Sequence, residues 1–124
     1  MDVRRMIDAP ADLVFLIALA GAVGVLITAS LTFDRLVRTE YETDRAAWND
    51  DGKPRGFFWQ APECTYFGTA WATNRLLFTW LFKTPEWAAP DPALRAAFRK
   101  YRYGVLMWNV MIIVALLGCL VYNA

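Results

Sequence analysis

The sequence predicts an all-α membrane protein, a two-span transmembrane helical hairpin with cytoplasmic helix extensions and one interfacial aromatic amphipathic helix. Residues 13–33 and residues 103–122 form two apolar runs without a charged side chain. Each run matches the roughly 20 residues that a helix needs to cross a hydrocarbon core about 30 Å thick. Between them, residues 57–83 are rich in aromatic side chains. The chain of 124 residues is therefore predicted to form a single membrane domain.

The first helix is predicted over residues 8–48, where it joins the first apolar run to a cytoplasmic stalk. Asp8 is a suitable N-cap, and Pro10 fits the first helical turn. No glycine or proline occurs between Phe33 and Gly52, so the helix can continue beyond the apolar run. A secretory signal peptide is the alternative, but its apolar core has about 7 to 15 residues and this run is longer.

A loop over residues 49–64 leads into a second predicted helix, residues 65–83, which is expected to lie on the membrane surface. As a third span, it would place Arg75 near the middle of the bilayer at a cost of about 2.5–3.5 kcal/mol. Aromatic side chains favour the headgroup layer, and long basic side chains reach the phosphates. The predicted membrane-interface residues here are Trp71, Arg75, Phe78, Trp80, Phe82 and Lys83, with Thr69 and Thr73 facing water.

The last helix is predicted over residues 91–122, as a second cytoplasmic stalk followed by the second apolar run. Asp91 is a suitable N-cap, with Pro92 at the first helical position. Basic side chains next to a span favour phospholipid over nucleic acid, because each contributes about 1 kcal/mol near an anionic membrane. The stalk residues predicted to lie at the membrane interface are Arg95, Arg99 and Arg102.

The basic residues are distributed unevenly and predict the orientation. Of the 13 Lys and Arg residues, eleven lie between the two apolar runs, and the other two are Arg4 and Arg5. Connections rich in Lys and Arg stay in the cytoplasm. We therefore expect a cytoplasmic connecting region and both termini on the opposite, periplasmic side.

Small and polar residues inside the apolar runs predict helix packing. Ala20, Gly24, Thr28 and Thr32 recur every four residues, and such ridges let helices approach closely in lipid. The ridge is expected to meet either a partner chain or the second span of the same chain. Asn109 is the strongly polar side chain of the second run, and a hydrogen bond to Thr28 or Thr32 is one expectation for it. A partner subunit, a lipid or a quinone is the other.

The residue types available argue against an enzyme and against a bound cofactor or metal. The chain has no histidine and only two cysteines, which disfavours zinc and haem sites. Phosphate-binding loops and nucleophile elbows are missing from the sequence. The acids of the connecting region are expected to lie on solvated faces or to cap helices: Glu40, Glu42, Asp44, Asp50, Asp51, Glu63, Glu86 and Asp91.

The second half of the chain resembles the bacterial universal stress protein B group. The aromatic segment "NRLLFTWLFKTPEW" is followed by "DPALRAAFRKYR", which leads directly into the last apolar run, so that the likeness covers residues 74–122. The insert "DGKPRGFFW" and the longer charged stalk differ from that group. The resemblance implies a small bacterial inner-membrane protein and assigns no functional residue.

These observations predict a non-catalytic accessory or structural subunit of a larger bacterial inner-membrane complex, respiratory or photosynthetic in kind. Its expected partners are other membrane protein subunits and phospholipids, and not nucleic acid. One alternative is a free-standing lipid-binding or stress-related two-span membrane protein. The other is a subunit that shapes a quinone or pigment site completed by other chains.

Overall fold

The computed structural model describes residues 10–124, which contain α-helices and no β-strand. The prediction of an all-α protein is confirmed for this part of the chain, while the predicted N-cap Asp8 lies outside it. The helices are α1 over Pro10–Thr43, α2 over Arg45–Asp50, α3 over Tyr66–Phe82 and α4 over Pro92–Asn123.

The two long helices, α1 and α4, pack side by side in opposite directions. An added Cβ at Gly21 would lie 3.2 Å from the side chain of Met111, and one at Gly104 would lie 3.1 Å from Ala29. Contacts therefore move backward along α4 as they move forward along α1, which defines an antiparallel hairpin. The missing side chain of Gly104 permits the close approach to Ala29.

The apolar arms of this hairpin, residues 13–33 of α1 and residues 104–122 of α4, expose large hydrophobic side chains. Ile17 is 63% exposed and Leu120 is 69% exposed, and many neighbouring aliphatic side chains are similarly open. Both helices are long and apolar enough to cross a membrane. Such exposure favours insertion into lipid, because water would penalise so large an apolar surface.

The prediction of one continuous helix over residues 8–48 is wrong at its C-terminal end. α1 ends at Thr43 because Asp44 leaves the helical region, with φ −141° and ψ 76°. The Asp44 carboxylate then accepts a 3.1 Å hydrogen bond from the backbone N–H of Ala47 and caps α2. This break redirects the chain so that Trp48 enters the core, where it is 1% exposed.

The loop after α2 is attached to α1 at the end of the first apolar arm. The buried carboxylate of Asp34 accepts backbone hydrogen bonds from Phe57 at 2.5 Å, Phe58 at 2.7 Å and Trp59 at 3.1 Å. The backbone of Gly56 passes so close to this carboxylate that any Cβ there would overlap it. The loop is therefore held beside the junction of arm and stalk.

Residues 34–103 form a small folded head with its own hydrophobic core, which Phe33 of the first arm also enters. The indole ring of Trp80 packs 5.5 Å from the ring of Phe33 and 5.0 Å from that of Phe98. The Tyr101 hydroxyl donates a 2.7 Å hydrogen bond to the carbonyl of Leu77. The core residues are Phe33, Leu36, Val37, Trp48, Ala61, Leu76, Trp80, Ala88, Phe98 and Tyr101.

The later helices begin and end close to their predicted limits. α3 and α4 agree to within one residue with the predicted ranges 65–83 and 91–122. Asp91 is the N-cap of α4, since its carboxylate accepts a 2.9 Å hydrogen bond from the backbone N–H of Ala93. The start of α4 could be predicted from local signals, because Asp91 caps the helix and Pro92 occupies its first position.

Candidate functional site

An acidic cleft lies on the head between α2, the C-terminal half of α3 and the segment that joins α3 to α4. Its volume is about 320 Å³, at the lower end of the range for small-molecule sites. Carboxylates outnumber basic groups in it, so its electrostatic potential favours cations. The charged residues that line the cleft are Asp44, Asp50, Asp51, Glu86 and Lys83.

Glu40 lies fully buried beside this cleft. The indole N–H of Trp87, a cleft residue, donates a 2.8 Å hydrogen bond to Oε2, whereas Oε1 accepts none from any described residue. Burial first, and then the adjoining carboxyl group of Asp51, raise the pKa of Glu40 to about 9. Glu40 therefore carries a proton at neutral pH.

The prediction of solvated or capping acids is wrong for Glu40, although Asp44 and Asp91 do cap helices. Glu40 follows Phe33 and Leu36 on the buried face of α1. That helical spacing was the available signal, but charged neighbours on the same stalk concealed it. Its partner Trp87 lies 47 residues further along the chain.

An exposed aromatic face runs along α3. Phe67 is 85% exposed, Trp71 75%, Phe78 68% and Phe82 77%, and the rings of Phe78 and Phe82 lie 5.3 Å apart. These four residues recur at spacings of four and seven, so they share one side of the helix. We call this set the aromatic face. The opposite side of α3 is buried and consists of Thr69, Ala72, Thr73, Leu76 and Trp80.

The expectation that Thr69 and Thr73 face water is wrong. Thr69 is 1% exposed, and Thr73 is buried against the loop. The Thr73 hydroxyl accepts a 3.0 Å hydrogen bond from the backbone N–H of Arg55 and donates one of 3.0 Å to its carbonyl. Small threonines permit the loop to approach closely, whereas the large aromatic side chains remain outside.

The C-terminal half of α3 is near the place where the apolar arms leave the head. The carbonyl of Leu77 on α3 accepts the hydrogen bond of Tyr101, whose ring lies 5.7 Å from that of Phe33. Phe58 of the loop, held there by Asp34, is 73% exposed. Aromatic side chains are therefore exposed on the head near the base of the arms.

Two of the predicted membrane-interface residues contact protein instead. Trp80 is 2% exposed. Arg102 donates from Nε to the carbonyl of Trp80 at 2.9 Å and from Nη2 to the hydroxyl of Thr84 at 2.8 Å. The interface prediction is wrong for Trp80, because its side chain lies in the core, whereas Arg102 is half-buried and held by these two acceptors. Arg75 is exposed and donates a 3.2 Å hydrogen bond to the carbonyl of Asp51. The remaining basic residues of that prediction, Lys83, Arg95 and Arg99, are exposed.

Of the predicted packing ridge, Thr32 is buried, whereas Ala20, Gly24 and Thr28, here called the outer ridge, face away from α4. All three residues are exposed, and a Cβ added at Gly24 would meet no atom within 4 Å. The second arm instead packs on the neighbouring side of α1, where Ala22 and Ala29 are buried. The second span of the same chain is therefore received beside the ridge, at Gly21, Ala22 and Ala29, and not at Gly24.

Asn109 does not bridge the two arms. Its side-chain amide donates a 2.8 Å hydrogen bond to the carbonyl of Val105 in its own helix. The hydroxyls of Thr28 and Thr32 likewise donate to the carbonyls of Gly24 and Thr28, each four residues earlier. The predicted hydrogen bond across the hairpin is wrong, because each polar group is satisfied within its own helix.

An apolar groove of about 730 Å³ opens between the far ends of the arms. Phe15 and Ala18 of α1 line one wall, and Met111, Val114 and Gly118 of α4 line the other. Small residues on both walls leave the two helices apart at this end. The groove has the size and polarity of a site for an acyl or isoprenoid chain.

Among residues 10–124, no group of three or more His, Cys, Asp or Glu side chains is arranged to hold a metal ion. Comparison with protein-family models, with curated proteins and with solved structures finds no match. The resemblance to the universal stress protein B group therefore stays a prediction.

Proposed function

We propose that this chain is a two-span protein of the bacterial inner membrane and a non-catalytic accessory subunit of a larger respiratory or photosynthetic complex. In this proposal the apolar arms cross the bilayer, the head lies in the cytoplasm and both termini face the periplasm. The concentration of basic residues between the arms supports that orientation. Other membrane subunits and phospholipids are the partners.

The outer ridge is the observation that carries the proposal. The two arms of this chain pack through Gly21, Ala22 and Ala29. The small residues at positions 20, 24 and 28 take no part in that packing and remain exposed. Helices gain no hydrophobic driving force from pairing in lipid and associate through close van der Waals contact. An apolar helix of another subunit could approach α1 at Gly24, where no side chain obstructs it.

A second candidate function is that of a free-standing lipid-binding or stress-related membrane protein. The aromatic face favours it, because four large aromatic side chains are exposed along one side of α3. Rings of this kind prefer the headgroup layer of a bilayer. A subunit that shapes a quinone or pigment site is a third candidate, supported by the apolar groove between the arms.

Substitutions on the two sides of α1 separate these functions. Gly24→Leu places a bulky side chain on the outer ridge, and Gly24→Ala is the matched small change. Gly21→Leu is the control for the hairpin itself, since its side chain would be forced into Met111. Each variant is purified in mild detergent from its native membrane, and the chains that migrate with it are identified.

For an accessory subunit, Gly24→Leu should release the protein from its complex while its membrane level and the fold of the head stay unchanged. Gly24→Ala should retain the complex, and Gly21→Leu should lower the amount of folded protein. Unchanged migration of Gly24→Leu with the wild-type partners would refute docking at the outer ridge. Migration of the wild type without any other chain would instead favour the free-standing protein.

A further inference from the structure

We propose that the surface around the base of the arms binds anionic phospholipid of the surrounding membrane, through exposed basic side chains next to exposed aromatic ones. We call it the junction surface, and it consists of Arg35, Phe57, Phe58, Arg99, Lys100 and Tyr103. The inference rests on the proposed insertion of the arms in a bilayer. It adds the class of lipid and the residues that bind it.

An exposed face of α4 changes in chemical character along its length. Arg99 is exposed, Tyr103 is 64% exposed and Leu106 is 60% exposed. Each follows the previous one by three or four residues, so they lie on one side of the helix. The order basic, aromatic and aliphatic matches the phosphate, interfacial and hydrocarbon layers of a bilayer. This order places Tyr103 at the membrane interface.

Distances along α4 bring two basic residues into the headgroup layer. Arg99 and Lys100 precede Tyr103 by four and three residues, about 6 Å and 5 Å along the axis. A headgroup layer is about 5–8 Å thick, since a bilayer of about 40–45 Å contains a hydrocarbon core of about 30 Å. Arg95 precedes Tyr103 by eight residues, about 12 Å, and lies beyond this layer.

The basic side chains of this face have no acidic partner. Those of Arg99 and Lys100 are exposed, and neither makes a hydrogen bond or an ion pair with any residue that the structure describes. Residues 92–124 contain no Asp or Glu. By contrast, Arg102 donates to a backbone carbonyl and to a hydroxyl of the head. Arg99 and Lys100 are therefore available to an external anion.

α1 and the loop contribute the same two kinds of side chain. The Asp34 carboxylate accepts backbone hydrogen bonds from Phe57 and Phe58, whose side chains are 53% and 73% exposed at the end of the arm. Arg35 follows Asp34 and is exposed. Side chains of a helix lean toward its N-terminus, which for α1 is the direction of the arm. The backbone donors compensate the charge of Asp34, so it does not cancel that of Arg35.

Charge complementarity favours anionic phospholipid over the other occupants of this surface. A zwitterionic headgroup carries its own positive group beside the phosphate, whereas an anionic headgroup leaves the phosphate charge for Lys and Arg. An acidic protein partner would account for the basic side chains. It would not account for the aromatic and aliphatic residues that continue from them into the arms.

The test uses the full-length protein in vesicles of brominated phosphatidylcholine, to which phosphatidylglycerol is added in increasing proportion. Bromine quenches tryptophan fluorescence, so recovery of the signal measures how strongly phosphatidylglycerol replaces phosphatidylcholine at the protein. Trp108, five residues beyond Tyr103 in the second arm, is placed to report this exchange. The wild type should prefer phosphatidylglycerol about fivefold or more, and the preference should decrease at high salt.

The double variant Arg99→Gln, Lys100→Gln should reduce this preference to less than about twofold. Lys53→Gln, Arg95→Gln is the matched control, because it removes the same charge from exposed positions outside the junction surface and should keep the preference. Equal losses in the two double variants would overturn the inference, since net charge alone would explain the binding. Absence of a preference in inserted wild-type protein would also overturn it. Failure of the wild type to insert into either lipid would contradict the proposed function as well.

Discussion

The carboxylate of Asp34 accepts a 2.7 Å hydrogen bond from the backbone N–H of Phe58, 24 residues further along the chain. The neighbouring N–H groups of Phe57 and Trp59 donate to the same carboxylate. One buried acid thus fixes the loop at the base of the first arm. Its position explains why an aspartate can directly follow the apolar run, because three donors compensate its charge.

We expect Asp34→Ala to destabilise the head by about 2–3 kcal/mol, the usual effect of losing hydrogen bonds to a charged group. Asp34→Asn should also be destabilising, because an amide offers one acceptor oxygen and places an NH₂ group among donors. Equilibrium unfolding in detergent, followed by tryptophan fluorescence, measures both. Glu42→Gln is the exposed control and should change stability by less than about 1 kcal/mol.

Gly56→Ala should destabilise the head, because its Cβ would overlap the Asp34 carboxylate. Combining it with Asp34→Ala removes the atoms that clash, so the double variant should lose less stability than the sum of the two single losses. Gly24→Ala is the matched control, since open space surrounds that glycine and alanine favours a helix. Additive losses would contradict a direct steric conflict between positions 34 and 56.

Head stability should fall as the pH rises from 5 to 9. The pKa of Glu40 is about 9 in the folded head against an ordinary value of 4.5, so the folded state retains a proton that the unfolded state releases. The stabilisation is complete below pH 4.5 and is lost as the pH approaches 9, at no more than about 1.4 kcal/mol per pH unit for one proton. Unfolding measured across this range should show the slope in the wild type and a flatter profile in Glu40→Gln. A rise of stability with pH that depends on Glu40 would contradict this.

Single cysteines test the proposed orientation. In a Cys64→Ser, Cys119→Ala background, a cysteine at Asn123 should react with a membrane-impermeant maleimide in intact cells with a permeable outer membrane. A cysteine at Lys100 should react only after the inner membrane is opened, because the proposed orientation places the basic connection in the cytoplasm. Both positions are exposed, so burial does not limit labelling. The reverse pattern would show that the charge distribution does not determine the orientation.

The aromatic face should contact lipid. Spin labels at Trp71 and Phe78 in reconstituted protein should be more accessible to oxygen than to a water-soluble nickel complex. A label at Arg99, an exposed stalk residue, should show the opposite preference. If labels at both aromatic positions are exposed to water, the prediction of lipid contact is wrong, and the aromatic face would instead suit a protein partner.

Much of the fold is readable from local sequence signals, because helix ends depend on neighbouring residues. Pro92 and its capping aspartate mark the start of α4, and the long apolar runs mark the arms. The break at Asp44 is also a local signal, since aspartate is a good N-cap, but the absence of glycine and proline favoured continuation.

The candidate cleft was not predictable in the same way. Glu40 meets Trp87 only after the chain has folded, and nothing in the sequence near either residue specifies the other. In α3, side-chain type was a misleading guide to the face that is buried. Thr69 and Trp80 are buried, whereas Trp71 is exposed. The loop and α4 pack against the side of α3 that carries the small threonines, because that side allows their close approach.

Because Phe98 and Tyr101 complete the core around Phe33 and Trp80, the head closes only after the ribosome has made the second stalk. Until then the nascent chain has one apolar arm and an unpaired aromatic helix, which proteases and chaperones can reach. The last helix consequently provides both the second apolar arm and the final piece of the head. A chain that stops ahead of it should be degraded rather than accumulate as a one-span protein.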